Sequence, residues 1–314
     1  MKYPNLFIIG AMKAGTSSLH EYLHQHPQIF MSRFKEPQYF APHTTRWGIK
    51  WGMGHPHPEP TMGWYLDLFA EAGDVKYAGE SSVSYTAAPW ISDCHRRIHA
   101  FNPDARLIYL LRDPIERTIS HYWHFVADGR EDREMLTAIR RNEDYVSRSN
   151  YARQIRPYLT TFGQEQVFVL TLEELTAAPG ATFRRLFAWL EVDPDYPIAT
   201  EQKFNVGSPR LWQTRRGLVL LDTLQKSWRW KKQSSRVPQP VRRLLQQLTY
   251  RSIDRAVVDT RHVIDYLRPI QQRQVEELSA LLGRQFLEWT TLAPNSCSEQ
   301  AAEYAVQPLG AATR

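Results

Sequence analysis

The segment LFIIGAMKAGTSSLHEYL, residues 6–23, decides the reading of the fold. Leu6–Ile9 is a short apolar run ending at Gly10, and beyond a glycine-containing loop the spacing of Leu19, Tyr22 and Leu23 predicts a helix. A strand, a tight loop and a helix make a place for an anion. The first N–H groups of a helix have no partners within it, and its dipole is positive at that end. Gly10 and Gly15 permit the tight backbone, and Thr16, Ser17 and Ser18 add hydroxyl donors. The glycine spacing matches the P-loop of nucleoside triphosphatases, yet Thr16 stands where that loop carries its lysine. The lysine lies inside the loop instead, at Lys13, closer to the first phosphate of a nucleotide than to its β- and γ-phosphates. An ordinary glycine turn is the competing reading.

Two further units extend the pattern. Arg106–Leu111 (RLIYLL) predicts a buried strand, closed by Arg112-Asp113-Pro114 and followed by a helix through Ile119, Tyr122 and Trp123. Val167–Thr171 predicts another, between helical Tyr151–Phe162 and helical Ala181–Leu190. Strands alternating with helices imply an α/β fold, a three-layer, P-loop-like domain whose central, mainly parallel sheet is flanked by helices. Ala41–Gly63 has no period and reads as a surface loop, of a length that often serves as a lid. Residues 207–240 are basic and irregular, and Val241–Trp289 reads as helices. Residues 1–292 are expected to form one domain and 293–314 a disordered tail.

Of the 314 residues, 42% are hydrophobic, enough for a substantial core, and the formal net charge is +6. That charge suits anionic partners without choosing among them. Two cysteines, Cys94 and Cys297, offer neither a disulfide framework nor a zinc site, so no metal is expected and a reducing, cytoplasmic compartment is. Lys13 interrupts the N-terminal apolar run, and no segment reaches the ~18 apolar residues of a membrane span, which predicts a soluble protein. Arg112, at the carboxyl end of a strand, is placed to fork onto a phosphate in the crevice where parallel sheets bind ligands; pairing with Asp113 or capping a carbonyl is the alternative.

GAMKAGTSSLHEYL resembles the 5'-phosphosulfate loop of sulfotransferases that use 3'-phosphoadenosine 5'-phosphosulfate (PAPS), and LIYLLRDPIERTISHYWHF resembles their 3'-phosphate motif. KEPQYF, residues 35–40, resembles the segment bearing the catalytic glutamate in the heparan-sulfate-type (N-/3-O-) branch. Weaker agreement continues through GWYLDLF, GESSVSY, FGQEQVFVLTLEEL and LLGRQFLEW, so that it spans about Pro4 to Trp289. The resemblance implies transfer of a sulfuryl group from PAPS to a hydroxyl or amine of a carbohydrate, lipid or small-molecule acceptor, with release of PAP. It implies that Lys13, Ala14, Gly15, Thr16, Ser17 and Ser18 hold the 5'-phosphosulfate, that Arg112 and Ser120 hold the 3'-phosphate, and that Glu36 removes the acceptor proton; a surface carboxylate paired with Lys35 is the alternative for Glu36. His124, one helical turn beyond Ser120, matches a histidine of N-sulfotransferases.

Two departures stand out. Several heparan-type relatives place a lysine after the glutamate of the strand motif, whereas Ser81 follows Glu80 here. The basic glycine loop that completes the 3'-phosphate site has only Arg210, Arg215, Arg216 and Gly217 as candidates. His55 and His57 lack partners at a metal spacing and read as loop residues. Two rivals stay open. A P-loop kinase would need a lysine after Gly15 and a carboxylate ending a strand. A basic nucleic-acid binder would draw on the WRWKK stretch, although no nucleic-acid partner is expected.

Overall fold

The computed structural model describes residues 3–41, 60–202, 210–214, 241, 248 and 250–293. The expected lid loop lies almost wholly outside these residues, as do Arg215, Arg216, Gly217, His55, His57, the WRWKK stretch and the tail from 294.

Five strands form one parallel sheet: β1 (Leu6–Gly10), β2 (Ile29–Met31), β3 (Tyr77–Ser81), β4 (Arg106–Leu111) and β5 (Val167–Thr171). Their spatial order is β2-β3-β1-β4-β5. The central strand β1 is buried along its whole length, which is why it reads as an unbroken apolar run and not as an alternation. It pairs with β3 on one side (Leu6 opposite Gly79, Ile8 opposite Ser81) and with β4 on the other (Leu6 opposite Arg106, Gly10 opposite Tyr109). The carboxyl ends of β3, β1 and β4 therefore lie at one edge of the sheet, where the strand order reverses and such sheets bind ligands.

Helix α1 (Thr16–His24) comes after the first loop and buries Leu19, Tyr22 and Leu23, as their spacing predicts. Helices α2 (Met62–Asp67) and α3 (Cys94–Phe101) flank β3 in the chain. Helix α4 (Pro114–Ala127) is capped by Asp113, whose carboxylate accepts N–H bonds from Ile115 and Glu116, with Pro114 at its first position. Short helices α5 (Met135–Arg141) and α6 (Asp144–Ser147) lead to α7 (Tyr151–Phe162). After β5, helix α8 (Leu172–Ala177) opens with a capping box of Thr171 and Glu174, and α9 is Pro179–Trp189.

The stretch read as helical from Val241 departs from that reading at Tyr250–Asp254. Among the described residues from 250 on, Tyr250–Asp254 is a strand, β7, paired antiparallel with β6 (Arg210–Thr214), and Arg261–Leu282 is a long helix, α10. The reason is non-local. Leu211 lies opposite Ile253, and both pack with Ile115, Ile119, Trp123, Val263 and Leu267 into a second apolar cluster beside the main core. Helix α4 thus buries one side against the β6–β7 pair and α10. Glu116, Ser120 and His124, four residues apart, share another face that stays partly open.

Gly10 has φ 151°, and a Cβ there would lie 2.1 Å from the Thr86 hydroxyl, which donates to the Ile9 carbonyl at 2.8 Å. Gly10→Ala forces either that hydroxyl off its carbonyl or the loop off the strand. The expected cost is about 1–3 kcal/mol, read as a lower urea midpoint; an unchanged midpoint would show that the loop relaxes freely.

Candidate active site

The phosphate-type loop is held at both ends. The Ala11 N–H donates to the Leu110 carbonyl at 2.6 Å, tying the loop to β4. Gly15 sits at φ 94° where α1 begins, with Leu172 packed so closely that a Cβ would come within 2.9 Å of its Cδ1. Lys13 lies between them at φ 69°, a left-handed conformation rare for a residue with a side chain. Ala14 and Thr16 are buried, and Ser17 and Ser18 are partly buried on the first turn of the helix.

Positive charge converges on this loop. The half-buried Lys13 ammonium is held below its ordinary pKa by burial first, then by the charges of Arg255, Arg112 and Lys35, with Asp128 opposing them. Arg112 turns Nη1 toward the Lys13 carbonyl at 3.4 Å and donates from Nη2 to Glu116 at 3.0 Å. Asp113 is not its partner, because that carboxylate caps α4 and accepts the Thr291 hydroxyl at 2.6 Å. His124 lies close enough to Lys13 to feel its charge. Burial and that lysine hold its imidazole below the ordinary value, while Asp128, 3.7 Å from Nε2, pulls the other way.

Arg255 joins this group although no sequence motif marks it. It opens the short 3-10 turn Arg255–Val257 after β7, lies 5.7 Å from the Trp123 ring of α4, and has its pKa lowered by burial and by Arg112. Its approach depends on the β6–β7 pairing, a contact that local sequence does not announce. Among the candidates for the missing glycine loop, Arg210 begins β6, and Arg215, Arg216 and Gly217 lie outside the described residues.

The acidic side of the crevice is built on the end of β3. Glu36, at φ 63°, donates its N–H to the Ser81 carbonyl at 2.9 Å and accepts the Val83 N–H on Oε2 at 2.9 Å. Its Oε1 accepts from Lys35 at 2.7 Å. Because Lys35 also acts on Lys13, the KEPQYF segment faces the loop. Glu80 is fully buried and cannot reach an acceptor itself. Burial pushes its carboxyl up to about 7, Glu36 adds to this, and hydrogen bonds from Tyr85, Ser82 and Tyr65 oppose it. Ser81, in the place of the family's lysine, is bonded to His20: Nδ1 lies 2.8 Å from the Ser81 hydroxyl and Nε2 3.1 Å from the Ser32 carbonyl. A carbonyl only accepts, so Nε2 carries the proton and Nδ1 accepts from Ser81. Burial, with Lys35, lowers the His20 pKa to about 4 and keeps the ring neutral.

Among the described residues, no group of three or more His, Cys, Asp or Glu side chains is placed to hold a metal ion, and no helix is long and apolar enough to cross a membrane. Cationic side chains and helix-start amides gather at the ends of adjacent parallel strands, with a carboxylate held across from them. These features define a protein of the P-loop-like α/β class with a crevice lined by cationic side chains. The chain belongs to the sulfotransferase family, whose model matches residues 4–196.

It is 26% identical over 252 residues to carbohydrate sulfotransferase 15 of Mus musculus, covering 61% of this chain and 44% of that protein. It is 27% identical over 192 residues to heparan sulfate glucosamine 3-O-sulfotransferase 3A1 of Mus musculus, covering 58% of this chain and 44% of that one. The chain thus spans less than half the length of these relatives. A sulfotransferase crystal structure from Alicyclobacillus acidocaldarius superposes with TM-score 0.66 at 26% identity, covering 92% of this chain and all of that one.

Glu80 and His20 shape stability against pH in opposite directions. Glu80, with a folded pKa near 7 against an ordinary 4.5, binds its proton more tightly when folded, so it lowers stability as pH rises across that window. His20, lowered from 6.5 to about 4, raises stability with pH over an overlapping range. Glu80→Gln removes the first effect alone. Its stability relative to wild type should climb between pH 4.5 and 7.5, by on the order of 3 kcal/mol, as read by urea unfolding at the two pH values. A difference independent of pH would show that Glu80 titrates normally in the fold.

Proposed function

We propose that this chain transfers a sulfuryl group from PAPS to a hydroxyl or amine of an acceptor and releases PAP. The observation that carries the reading is the convergence of Lys13, Lys35, Arg112 and Arg255 on one loop, with Glu36 opposite. The donor set fits such a ligand: a lysine inside the loop for the 5'-phosphosulfate, and an arginine one strand away for the 3'-phosphate.

In this reading the amides of residues 15–18 and the Lys13 ammonium hold the 5'-phosphate and offset the charge that grows on it as the sulfur–oxygen bond breaks. Arg112 and Ser120 anchor the 3'-phosphate, which fixes the sulfur in the crevice. Glu36 accepts the proton of the attacking hydroxyl or amine, and the Val83 N–H and Lys35 keep its two oxygens oriented for this. His124, neutral and near Lys13, is a second polar group on the acceptor side. The family's glycan-modifying relatives favour a carbohydrate acceptor. A kinase reading finds no support at Asp113, the carboxylate that ends its strand, because it is committed to the cap of α4 and to Thr291.

PAP without magnesium should raise the melting temperature more than ATP with magnesium does, because a ligand that binds only the folded state stabilises it by mass action. The reverse order would favour phosphoryl transfer. Glu36→Gln should bind PAP as wild type does, by calorimetry, yet lose roughly 10²–10⁴-fold in turnover of PAPS with an acceptor. Turnover close to wild type at saturating substrates would remove Glu36 from the chemistry.

A further inference from the structure

The segment that carries Glu36 is held by a buried group that touches no ligand. Glu80 accepts three hydroxyl bonds: Tyr85 at 2.5 Å and Tyr65 at 3.3 Å on Oε1, and Ser82 at 2.7 Å on Oε2. Two of those hydroxyls also face the Glu36 segment. The Gln38 N–H donates to Ser82 Oγ at 3.0 Å, and the Phe40 N–H donates to Tyr85 Oη at 3.3 Å. A hydroxyl has one proton, and whichever partner takes it decides what the lone pairs can do. While the carboxylate claims the protons of Ser82 and Tyr85, both oxygens are bound to present lone pairs to the amides of Gln38 and Phe40.

This polarity is needed because the segment does not rest in an easy conformation. Glu36 at φ 63° and Gln38 at φ 53° both lie in the left-handed region, with Pro37 between them. Such geometry persists where the surroundings over-determine it. The fixings are the Glu36 N–H on the Ser81 carbonyl, the Gln38 and Phe40 amides on the two hydroxyls, and the Val83 N–H on the Glu36 carboxylate itself. Two of these four depend on the direction of an O–H bond that Glu80 sets.

We propose that Glu80 is a positioning residue: through the hydroxyls of Ser82 and Tyr85 it locks residues 36–40 in the strained conformation that aims the Glu36 carboxylate into the crevice. The inference rests on the reading of Glu36 as the base. A carboxylate suits this role and an amide does not. A glutamine at position 80 brings an N–H₂ that must donate, and at Ser82 it would donate to the oxygen that now receives Gln38.

The test uses the full chain at pH 8. Glu80→Gln and the milder Ser82→Ala are compared with wild type in three measurements: hydrogen exchange of the Gln38 and Phe40 amides by NMR, PAP affinity by calorimetry, and the rate of PAP release from PAPS with water as acceptor. In Glu80→Gln both amides should exchange faster, PAP affinity should change less than about twofold, and the rate constant should fall on the order of 10- to 100-fold, as for a misaimed group. In Ser82→Ala the Gln38 amide alone should be freed, with a smaller loss of rate. Unchanged protection of both amides in Glu80→Gln would overturn the proposal. So would freed amides with an undiminished rate constant, since Glu80 would then serve the core alone. A wild type that releases no PAP with water leaves transfer to a hydroxyl or amine standing, and amide protection then decides by itself whether Glu80 holds the segment.

Discussion

Everything in the crevice depends on β3, β1 and β4 running parallel and side by side, so that the loops leaving these strands emerge at the same edge. Backbone pairing fixes that edge to within the spacing of neighbouring strands, about 4.8 Å. The loop after β1 brings amides and Lys13, the end of β4 brings Arg112, and the end of β3 offers Ser81 and Val83 as seats for Glu36. The cations do not draw one another into place. They repel, and apolar burial of the strands, not charge pairing, holds them together.

That repulsion is the electrostatic signature of the site. Lys13 is depressed by burial and by three neighbouring cations, and Arg255 by burial and Arg112. A cluster of this kind costs free energy in the empty protein and returns it when an anion arrives, since a half-buried site screens the interaction less than bulk water does. Across the crevice the opposite problem is met differently. The charge of Glu36 disfavours that of Glu80, and hydroxyl donors around Glu80 supply what solvent would otherwise provide.

Much of this is legible in the sequence wherever the signal is local. Arg106–Leu111, Val167–Thr171 and Tyr151–Phe162 carry their own apolar pattern and fold as read, and the loop between Gly10 and Thr16 announces its backbone through its glycines. The strand Tyr77–Ser81 gives no such pattern, because Gly79, Glu80 and Ser81 are buried by hydrogen bonds and close packing instead of apolar side chains. Tyr250–Asp254 reads as part of a helical region because its partner strand is distant in the chain. Arg255 enters the site only through that pairing. Ser81 reads as a lost charge contact, and the structure shows a neutral His20–Ser81 pair in its place.

The adjacency of β1 and β4 also makes the crevice a gauge. The two positions proposed to hold anions, the Lys13 loop and Arg112, are joined through the Lys13 carbonyl and the Ala11–Leu110 bond, which tie each to the other. A ligand is measured by the gap between its two charged ends before its total charge counts. On the proposed reading, a ligand with phosphates on opposite sides of a ribose would meet both positions, whereas a linear polyphosphate would concentrate its charge at one. Selectivity of this sort lies in the spacing of two backbone strands and survives changes to the side chains that line the acceptor side. On that reading the frame would keep one donor while the acceptor side varies.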